Sequence, residues 1–252
     1  MKTAEELFTI CSSWKQAVDN SFGYQDSQLV ENLTSNLRFK PPWLDSSSKI
    51  LNTRIMELMA AVQYVLKNRN KSIIRVADVG GGNGYMGVAI SKLFPEIKWL
   101  WTVYESTEIA EAYSSVFNQS NVITFAPTSE LFKTSVGPNC NVPDIILISC
   151  TLQYIENPYA LMEKILEISA PKIVMRIPLI SAENDIATVQ DFGKIGGYAG
   201  LKAISLPMWW FSRNKFIRYI EKTSTIDFQW ITDSESYRFM DNDIPLEGLV
   251  CW

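Results

Sequence analysis

The fold of this chain is decided by residues 76–87, which read Val76-Ala77-Asp78-Val79-Gly80-Gly81-Gly82-Asn83-Gly84-Tyr85-Met86-Gly87. An apolar run leads into four glycines within five positions, and a helical pattern follows. Glycine lets a backbone approach a ligand closely, and the first turn of a helix presents free N–H groups. A tight turn alone does not need four glycines, so this loop predicts a ligand site between a strand and a helix.

Two classes of ligand fit the glycine spacing. Counted from Gly82, the loop reads GxGxxG, which is typical of dinucleotide binding. Counted from Asp78, it reads DxGxGxG, the pattern of S-adenosylmethionine (SAM) sites. An acid at the strand tip repels a pyrophosphate, whereas SAM carries a cationic sulfonium and an amino group. Asp78 therefore favours SAM and leaves an NAD-dependent oxidoreductase as the weaker alternative.

A second acid stands at the tip of the next predicted strand. Glu105 lies 21 residues after Gly84, where a carboxylate can accept hydrogen bonds from both hydroxyls of a ribose. NAD and SAM share this ribose, so Glu105 supports a nucleoside cofactor without choosing between them. The run Glu105-Ser106-Thr107 also resembles the start of a helix, so a capping role stays open.

The central part of the chain alternates apolar strand-like runs with helical segments. The runs are continuously apolar, as expected when helices cover both faces of a parallel sheet. This repetition predicts an α/β doubly wound fold. The predicted strands are 73–79, 98–104, 121–125, 144–149 and 172–177, and the predicted helices between them are 85–94, 107–117 and 159–169.

The two flanks are predicted less regularly. Residues 1–70 place apolar side chains at helical spacing, for example Leu7, Ile10 and Trp14, and predict an N-terminal helical cap. A glycine-rich loop follows the central zone, and the Trp-rich stretch 207–212 is predicted to start a helix. Two last strands are expected at 226–231 and 246–252.

Composition excludes several function classes. The chain has 252 residues, of which 47% are hydrophobic, and a net charge of −4, so electrostatic capture of nucleic acid is disfavoured. It contains no histidine, which excludes a Ser-His-Asp triad, histidine-based metal sites and a histidine general base. Four scattered cysteines predict reduced thiols rather than a disulfide or metal framework. With no long apolar run, we expect a cytoplasmic protein without a membrane span.

The loop and the motifs that follow it resemble those of class I SAM-dependent methyltransferases. Residues 78–84 resemble their first motif, Glu105 their second, and residues 144–155 their fourth-strand motif. Four shorter segments resemble a bacterial family of inferred methyltransferases often associated with cell-surface polysaccharide genes: Trp14-Lys15-Gln16-Ala17 with Gly23-Tyr24, the glycine loop, Leu152-Gln153-Tyr154, and residues 207–212.

The resemblance implies a Rossmann-like, seven-stranded mixed sheet of order 3-2-1-4-5-7-6 with its last strand antiparallel. A SAM-binding domain would occupy residues 71–252, with a lid-like insertion at 181–211 over the acceptor. Glu105 would hold the ribose, and Thr151 would lie close to the transferred methyl. The other cofactor-binding residues implied are Asp78, Gly80, Gly81, Gly82 and Gly84 around the methionine and ribose, and Ser106, Thr128 and Ser129 near the adenine.

Three further residues are candidates for the catalytic side. Gln153 cannot act as a base, but it could orient an acceptor. Tyr154 has an ordinary pKa of about 10 and needs help to ionise, so a residue that packs in the core or forms a shelf for the cofactor is favoured over a base. Arg176 could bind an anionic acceptor bidentately, or it could form an ion pair with Asp185 or Glu183.

These observations favour a SAM-dependent methyltransferase that O-methylates a small molecule or a sugar of cell-surface glycan synthesis. The main alternative is a module that binds SAM and has lost catalysis, because no histidine base is present. The Trp-rich segment leaves a homodimer open as a further option.

Overall fold

The computed structural model describes residues 7–22, 49–67, 72–116, 122–134, 142–168, 172–192, 204–239 and 242–251. Its strands are β1 Phe8–Cys11, β2 Ile73–Val79, β3 Lys98–Glu105, β4 Ile123–Pro127, β5 Ile145–Ser149, β6 Lys172–Ile180, β7 Ile186–Asp191, β8 Ser205–Ser212, β9 Ile226–Phe239 and β10 Asn242–Cys251. Its helices are α1 Trp14–Asp19, α2 Lys49–Leu66, α3 Tyr85–Leu93, α4 Thr107–Val116, α5 Thr128–Thr134, α6 Pro158–Leu166 and α7 Arg213–Glu221, with a single 3₁₀ turn at Leu152–Tyr154.

Seven strands form the predicted doubly wound sheet. They lie in the order β4-β3-β2-β5-β6-β10-β9, which is the expected 3-2-1-4-5-7-6. The five strands from β4 to β6 pair in parallel, and β10 is antiparallel to both of its neighbours. The α/β fold class is therefore confirmed, and the carboxyl ends of the parallel strands meet at one edge. The expected order holds within these seven strands, whereas the whole sheet has ten described strands and so differs from the seven-stranded prediction.

The core lies on both faces of this sheet. One layer packs α6 and α7 against β5 and β6, through residues such as Met162, Ile165 and Phe216. The other packs α2 and α3 against β2 and β3, through residues such as Leu58 and Ile90. Burial on both faces explains why β5, Ile145–Ser149, is continuously apolar instead of alternating.

Three strands beyond the expected seven extend the sheet in the order β1-β7-β8. They join β6 only at its end, where Leu179 pairs with Phe211 and Ile180 with Ser212. The prediction of a helix start at 207–212 is wrong, because this stretch is part of β8. Met208 and Trp210 are fully buried, while Trp209 lies half-buried between them and stacks on Trp14, with ring centroids 5.1 Å apart.

The helical prediction for the N-terminal segment is also wrong at Phe8–Cys11, which pairs with β7 as an antiparallel strand. The apolar spacing from Leu7 to Trp14 crosses a junction between two elements. Ser13 marks it, because its side chain caps α1 by accepting the N–H of Gln16. The apparent helical spacing therefore arose because residues of β1 were counted together with residues of α1.

The lid-like insertion predicted at 181–211 contains β7 and β8, so much of it is sheet. The glycine-rich loop at Gly193–Gly200 and residues 23–48 of the predicted N-terminal cap lie outside the described residues. The division into a cap at 1–70 and a domain at 71–252 stays a prediction. Within the described ranges, no helix combines the length and the apolar character that a membrane crossing requires.

Candidate functional site

The glycine loop lies between β2 and α3, at the carboxyl edge of the parallel strands. Gly80, Gly82 and Gly84 have φ angles of 68°, 58° and 72°, in the left-handed region that side chains resist. A Cβ on Gly80 would also overlap the side chain of Thr151. The loop therefore packs tightly on the tip of β5, and glycine is required there for two independent reasons.

Gly82 faces open space instead. No atom lies within 4 Å of the position that a Cβ would take there. Its N–H donates to Oε1 of Glu105 at 2.9 Å, so the loop and the tip of β3 are joined directly. Burial raises the pKa of Glu105, while the backbone N–H groups of Gly82 and Ser106 oppose that rise. Residues Gly80–Gly84 thus form an open backbone cradle, with the Glu105 carboxylate at its rim.

Asp78 supports this cradle from beneath. Its side chain is 1% exposed, and its Oδ2 accepts a hydrogen bond from the indole Nε1 of Trp101 at 2.9 Å. A Cβ on Gly81 would overlap the Asp78 carboxyl group, so the acid fills the space under the loop. Burial raises the pKa of Asp78 to about 7, the Trp101 hydrogen bond opposes the rise, and the charge of Glu105 adds to it. Direct contact between Asp78 and a cofactor stays a prediction.

The residues predicted near the adenine surround Glu105. Ser106 accepts the N–H of Ile109 at 3.4 Å, which is the capping role that the sequence left open for this segment. Thr128 donates to the backbone oxygen of Glu105 at 3.0 Å, and Ser129 lies exposed in the first turn of α5. The tips of β3 and β4 thus bring these residues to one side of the cradle.

The other side is formed by the segment after β5. Thr151 donates to the backbone oxygen of Val79 at 2.9 Å and so ties this segment to the glycine loop. Cys150 has a φ of 57°, a strained value for a residue other than glycine. Sequence patterns give no signal for this, because cysteine is not a residue that prefers the left-handed region.

Gln153 lies in the 3₁₀ turn and is fully buried. Neither its Nε2 nor its Oε1 has a hydrogen-bond partner among the described residues. A buried amide in this state costs on the order of 1–3 kcal/mol for each unsatisfied group. Such a cost calls for an explanation, and a binding role for Gln153 stays a prediction.

Tyr154, in contrast, is engaged within the protein. Its hydroxyl donates to Oε1 of Gln190 on β7 at 2.6 Å, and Gln190 is 1% exposed. The Tyr154 ring also packs against the cluster around Trp210. This arrangement supports packing and positioning, the role favoured from the sequence, over action as a base.

Arg176 is buried in the interior of β6, because that strand continues to Ile180 beyond the predicted end. The predicted alternative of an ion pair with Asp185 or Glu183 is wrong. Asp185 is bound by Lys215, by the hydroxyl of Tyr159 and by the N–H of Ser212. Arg176 instead lies opposite Ser149 on β5 and Gly248 on β10. Its contact with an acceptor stays a prediction.

The arrangement fits an adenosyl cofactor. Glu105 offers a carboxylate for a ribose, and the open side of Gly82 allows close backbone approach. The ionised form of the buried Asp78 favours a cationic ligand over a pyrophosphate, and a nearby cation in turn favours that ionised form. Gly87 would overlap the indole of Trp101 if it carried a Cβ, with a closest distance of 2.7 Å. The packing of α3 on β3 therefore explains the glycine at position 87, so Gly87 does not distinguish NAD from SAM as the ligand.

No protein-family model and no curated protein sequence matches the chain. Solved structures do match. A SAM-dependent methyltransferase from Leishmania major superposes with a TM-score of 0.54 at 10% identity, covering 98% of this chain and 96% of the other. The magnesium protoporphyrin IX methyltransferase of Synechocystis PCC 6803, with bound SAM, gives 0.51 at 12% identity and covers 90% and 99%.

A third similar structure is the [4+2]-cyclase SpnF, with a TM-score of 0.51 at 11% identity, covering 76% of this chain and 80% of the other. Against two further structures, the chain spans about half of the other protein, 56% of TnmH and 46% of a pericyclic-reaction enzyme. Identities this low establish the fold alone. The chain has the Rossmann-like fold that SAM-dependent methyltransferases share.

Proposed function

We propose that this chain is a SAM-dependent methyltransferase that O-methylates a small-molecule or sugar acceptor. The observation that carries the proposal is the contact between Gly82 and Glu105, which joins an open backbone cradle to a carboxylate placed for a ribose. The buried Asp78 beneath the loop adds selectivity for a cationic ligand. The similar methyltransferase with bound SAM agrees with this choice of cofactor.

The residues divide into two sets. Glu105 and the loop amides hold the nucleoside, while Ser106, Thr128 and Ser129 border the adenine side. A SAM molecule held in this cradle would supply the methyl group: the new O–CH₃ bond would replace its S–CH₃ bond, S-adenosylhomocysteine would leave, and the acceptor's proton would pass to water. Thr151 fixes the cradle relative to the 3₁₀ turn, and Gln153 offers one donor group and one acceptor group to the second substrate. The protein's main contribution is then orientation.

Proton removal does not depend on a dedicated base in this proposal. None of the usual candidates is placed to act as a base. The chain has no histidine, the Tyr154 hydroxyl donates a hydrogen bond to Gln190, and Asp78 lies buried beneath the loop. Gln153 can accept a hydrogen bond from an acceptor hydroxyl through Oε1 and so align its oxygen. We therefore expect acceptors with acidic hydroxyls to react fastest, because they need the least help in losing the proton.

Calorimetry with SAM, S-adenosylhomocysteine and NAD tests the cofactor. We expect the two adenosyl compounds to bind and NAD to bind weakly or not at all. Binding of NAD without either adenosyl compound would overturn the proposal and favour an oxidoreductase. Transfer of label from methyl-labelled SAM to a panel of phenols, sugars and nucleotide sugars then identifies the acceptor class.

A second candidate is a protein that binds SAM without transferring its methyl group. The hydrogen bond from the Tyr154 hydroxyl to Gln190 favours this candidate, because it leaves that hydroxyl unavailable as a base. The similarity to a [4+2]-cyclase is consistent with chemistry other than methyl transfer on this fold. Tight SAM binding with no labelled product across the whole panel would support this candidate. A role in cell-surface polysaccharide synthesis, a cytoplasmic location and a homodimer stay predictions of the sequence.

A further inference from the structure

Helix α7 presents a row of cations to an open groove. Lys215, Arg218 and Lys222 follow a spacing of i, i+3 and i+7, which places them on one face along about 10 Å of helix. All three line a groove of about 680 Å³, a volume within the usual range of small-molecule sites. The rest of its lining consists of Tyr159, Glu183, Asn214 and Tyr219.

The charge of this groove differs from that of the whole chain. The protein carries a net charge of −4, yet the lining has three cations and a single acid. Lys215 is neutralised by its ion pair with Asp185. The side chains of Arg218 and Lys222 make no ion pair or hydrogen bond with any residue that the structure describes. Two unneutralised cations on successive helical turns therefore face the groove.

The aromatic part of the lining is held in place. The Tyr219 hydroxyl donates to the backbone oxygen of Tyr159 at 3.0 Å, and the two rings meet edge-on with centroids 4.9 Å apart. The Tyr159 hydroxyl donates to Asp185, and Lys215 lies 4.9 Å from the Tyr159 ring centroid. A ligand would meet a preorganised aromatic surface, so binding would cost little ordering of side chains.

The groove adjoins a second cavity. This smaller cleft of about 230 Å³ shares Tyr159 and Lys215 with the groove and is also lined by Glu156, Asp185 and Trp209. A ligand in the groove can therefore reach into a neighbouring cleft that carries acids and an indole.

We propose that the α7 groove is a binding site for a small molecule with two neighbouring phosphate or carboxylate groups. Arg218 and Lys222 bind these groups, Tyr159 and Tyr219 contact the adjoining part of the ligand, and an uncharged remainder extends into the smaller cleft. Arg218 suits this role because its guanidinium binds an oxyanion bidentately. That the ligand is the methyl acceptor rests on the proposed function; the binding itself does not.

Isothermal titration with pyrophosphate tests the groove directly, because pyrophosphate carries two linked anionic groups. The test compares the unmodified protein, the double variant Arg218→Ala/Lys222→Ala and the control double variant Lys92→Ala/Lys98→Ala. The control removes the same charge from exposed positions on α3 and β3. We expect the groove variant to bind about tenfold more weakly or worse, and the control to bind like the unmodified protein.

Two results would overturn this inference: no pyrophosphate binding by the unmodified protein, or equal weakening in both double variants, which would show a general charge effect. SAM titration of the same proteins separates the two proposals. If the groove double variant binds SAM normally but no longer binds pyrophosphate, the groove proposal is supported. If the unmodified protein does not bind SAM at all, only the proposed function is overturned. Circular dichroism spectra verify that each variant is folded.

Discussion

The cradle at Gly80–Gly84 and the turn at Leu152–Tyr154 are neighbours that are built in different ways. The cradle consists of one continuous loop and the tip of the next strand, joined through backbone groups and Glu105. The turn is positioned by strands from distant parts of the chain, since Tyr154 bonds to Gln190 and packs near Trp210. The cradle can therefore be predicted from short stretches of sequence, whereas the position of the turn depends on how distant segments assemble.

The largest effect should come from breaking the packing between the two regions. Gly80→Ala adds a methyl group that overlaps Thr151 and also requires an unfavourable φ, so we expect a loss of about 2–5 kcal/mol in unfolding free energy. Gly82→Ala is the matched control, because it has a similar φ but open space, and should lose about 1–2 kcal/mol. Denaturant unfolding measures both, and equal losses would show that contact with Thr151 does not matter.

A pH experiment examines the support under the cradle. The pKa of Asp78 is raised from 3.8 to about 7 by burial, so the folded state holds the proton more tightly than the unfolded state between these values. Its contribution to stability is complete below pH 3.8 and is lost as the pH rises to 7. We expect the unfolding free energy of the unmodified protein, relative to Asp78→Asn, to fall over this range.

Trp101→Phe sharpens the same measurement. The Trp101 indole donates to the Asp78 carboxylate and opposes the rise in its pKa. Removing that donor should move the end of the decline to higher pH. A stability difference between the unmodified protein and Asp78→Asn that does not vary with pH would show that this carboxyl group is not desolvated in the folded protein.

The nucleoside side of the comparison is tested at Glu105. Glu105→Gln keeps the shape of the side chain but removes the charge, and we expect SAM to bind about tenfold more weakly. Glu108→Gln is the control, because Glu108 is an exposed acid only three residues away, in the first turn of α4. Titration calorimetry measures both affinities. Equal affinities for the two variants would place the ribose elsewhere.

The acceptor side is tested at Gln153. Gln153→Met keeps a similar volume and removes two buried polar groups that have no partner among the described residues. We expect the ligand-free protein to gain about 1–2 kcal/mol in stability. For an acceptor found in the labelling panel, KM should rise while SAM affinity stays the same. A loss of stability with unchanged KM would mean that Gln153 serves the core.

The smallest effect is expected at Tyr154. Tyr154→Phe removes the hydrogen bond to Gln190, and the loss of stability should be about 1 kcal/mol. If the hydroxyl only positions the turn, kcat falls by a small factor and its pH profile keeps its shape. A collapse of kcat together with loss of the basic limb of that profile would instead identify Tyr154 as the base.

Much of the fold was predictable because its signals are local. Continuously apolar strands and a glycine loop before a helix identified the doubly wound sheet, and the observed bounds of β2 equal the predicted ones. The secondary-structure predictions that were wrong lie in the added strands β1, β7 and β8. Phe8–Cys11 is too short to show alternation, and Trp209 and Trp210 on β8 are apolar on both faces, so their spacing alone could not separate strand from helix.

The sequence by itself predicted the cradle, because a glycine run before a helix and an acid at the tip of the next strand are signals that each stand in one short segment. Only the tertiary structure decided that Asp78 lies beneath the loop, that Tyr154 is bonded to Gln190, that Arg176 pairs with neither Asp185 nor Glu183, and that a cationic groove runs along α7. The hydrogen bonds of Asp78 with Trp101 and of Tyr154 with Gln190 join residues 23 and 36 positions apart. A strand pattern brings strand tips to one edge, but it cannot specify which side chains meet there, because that depends on how the sheet and its helices pack.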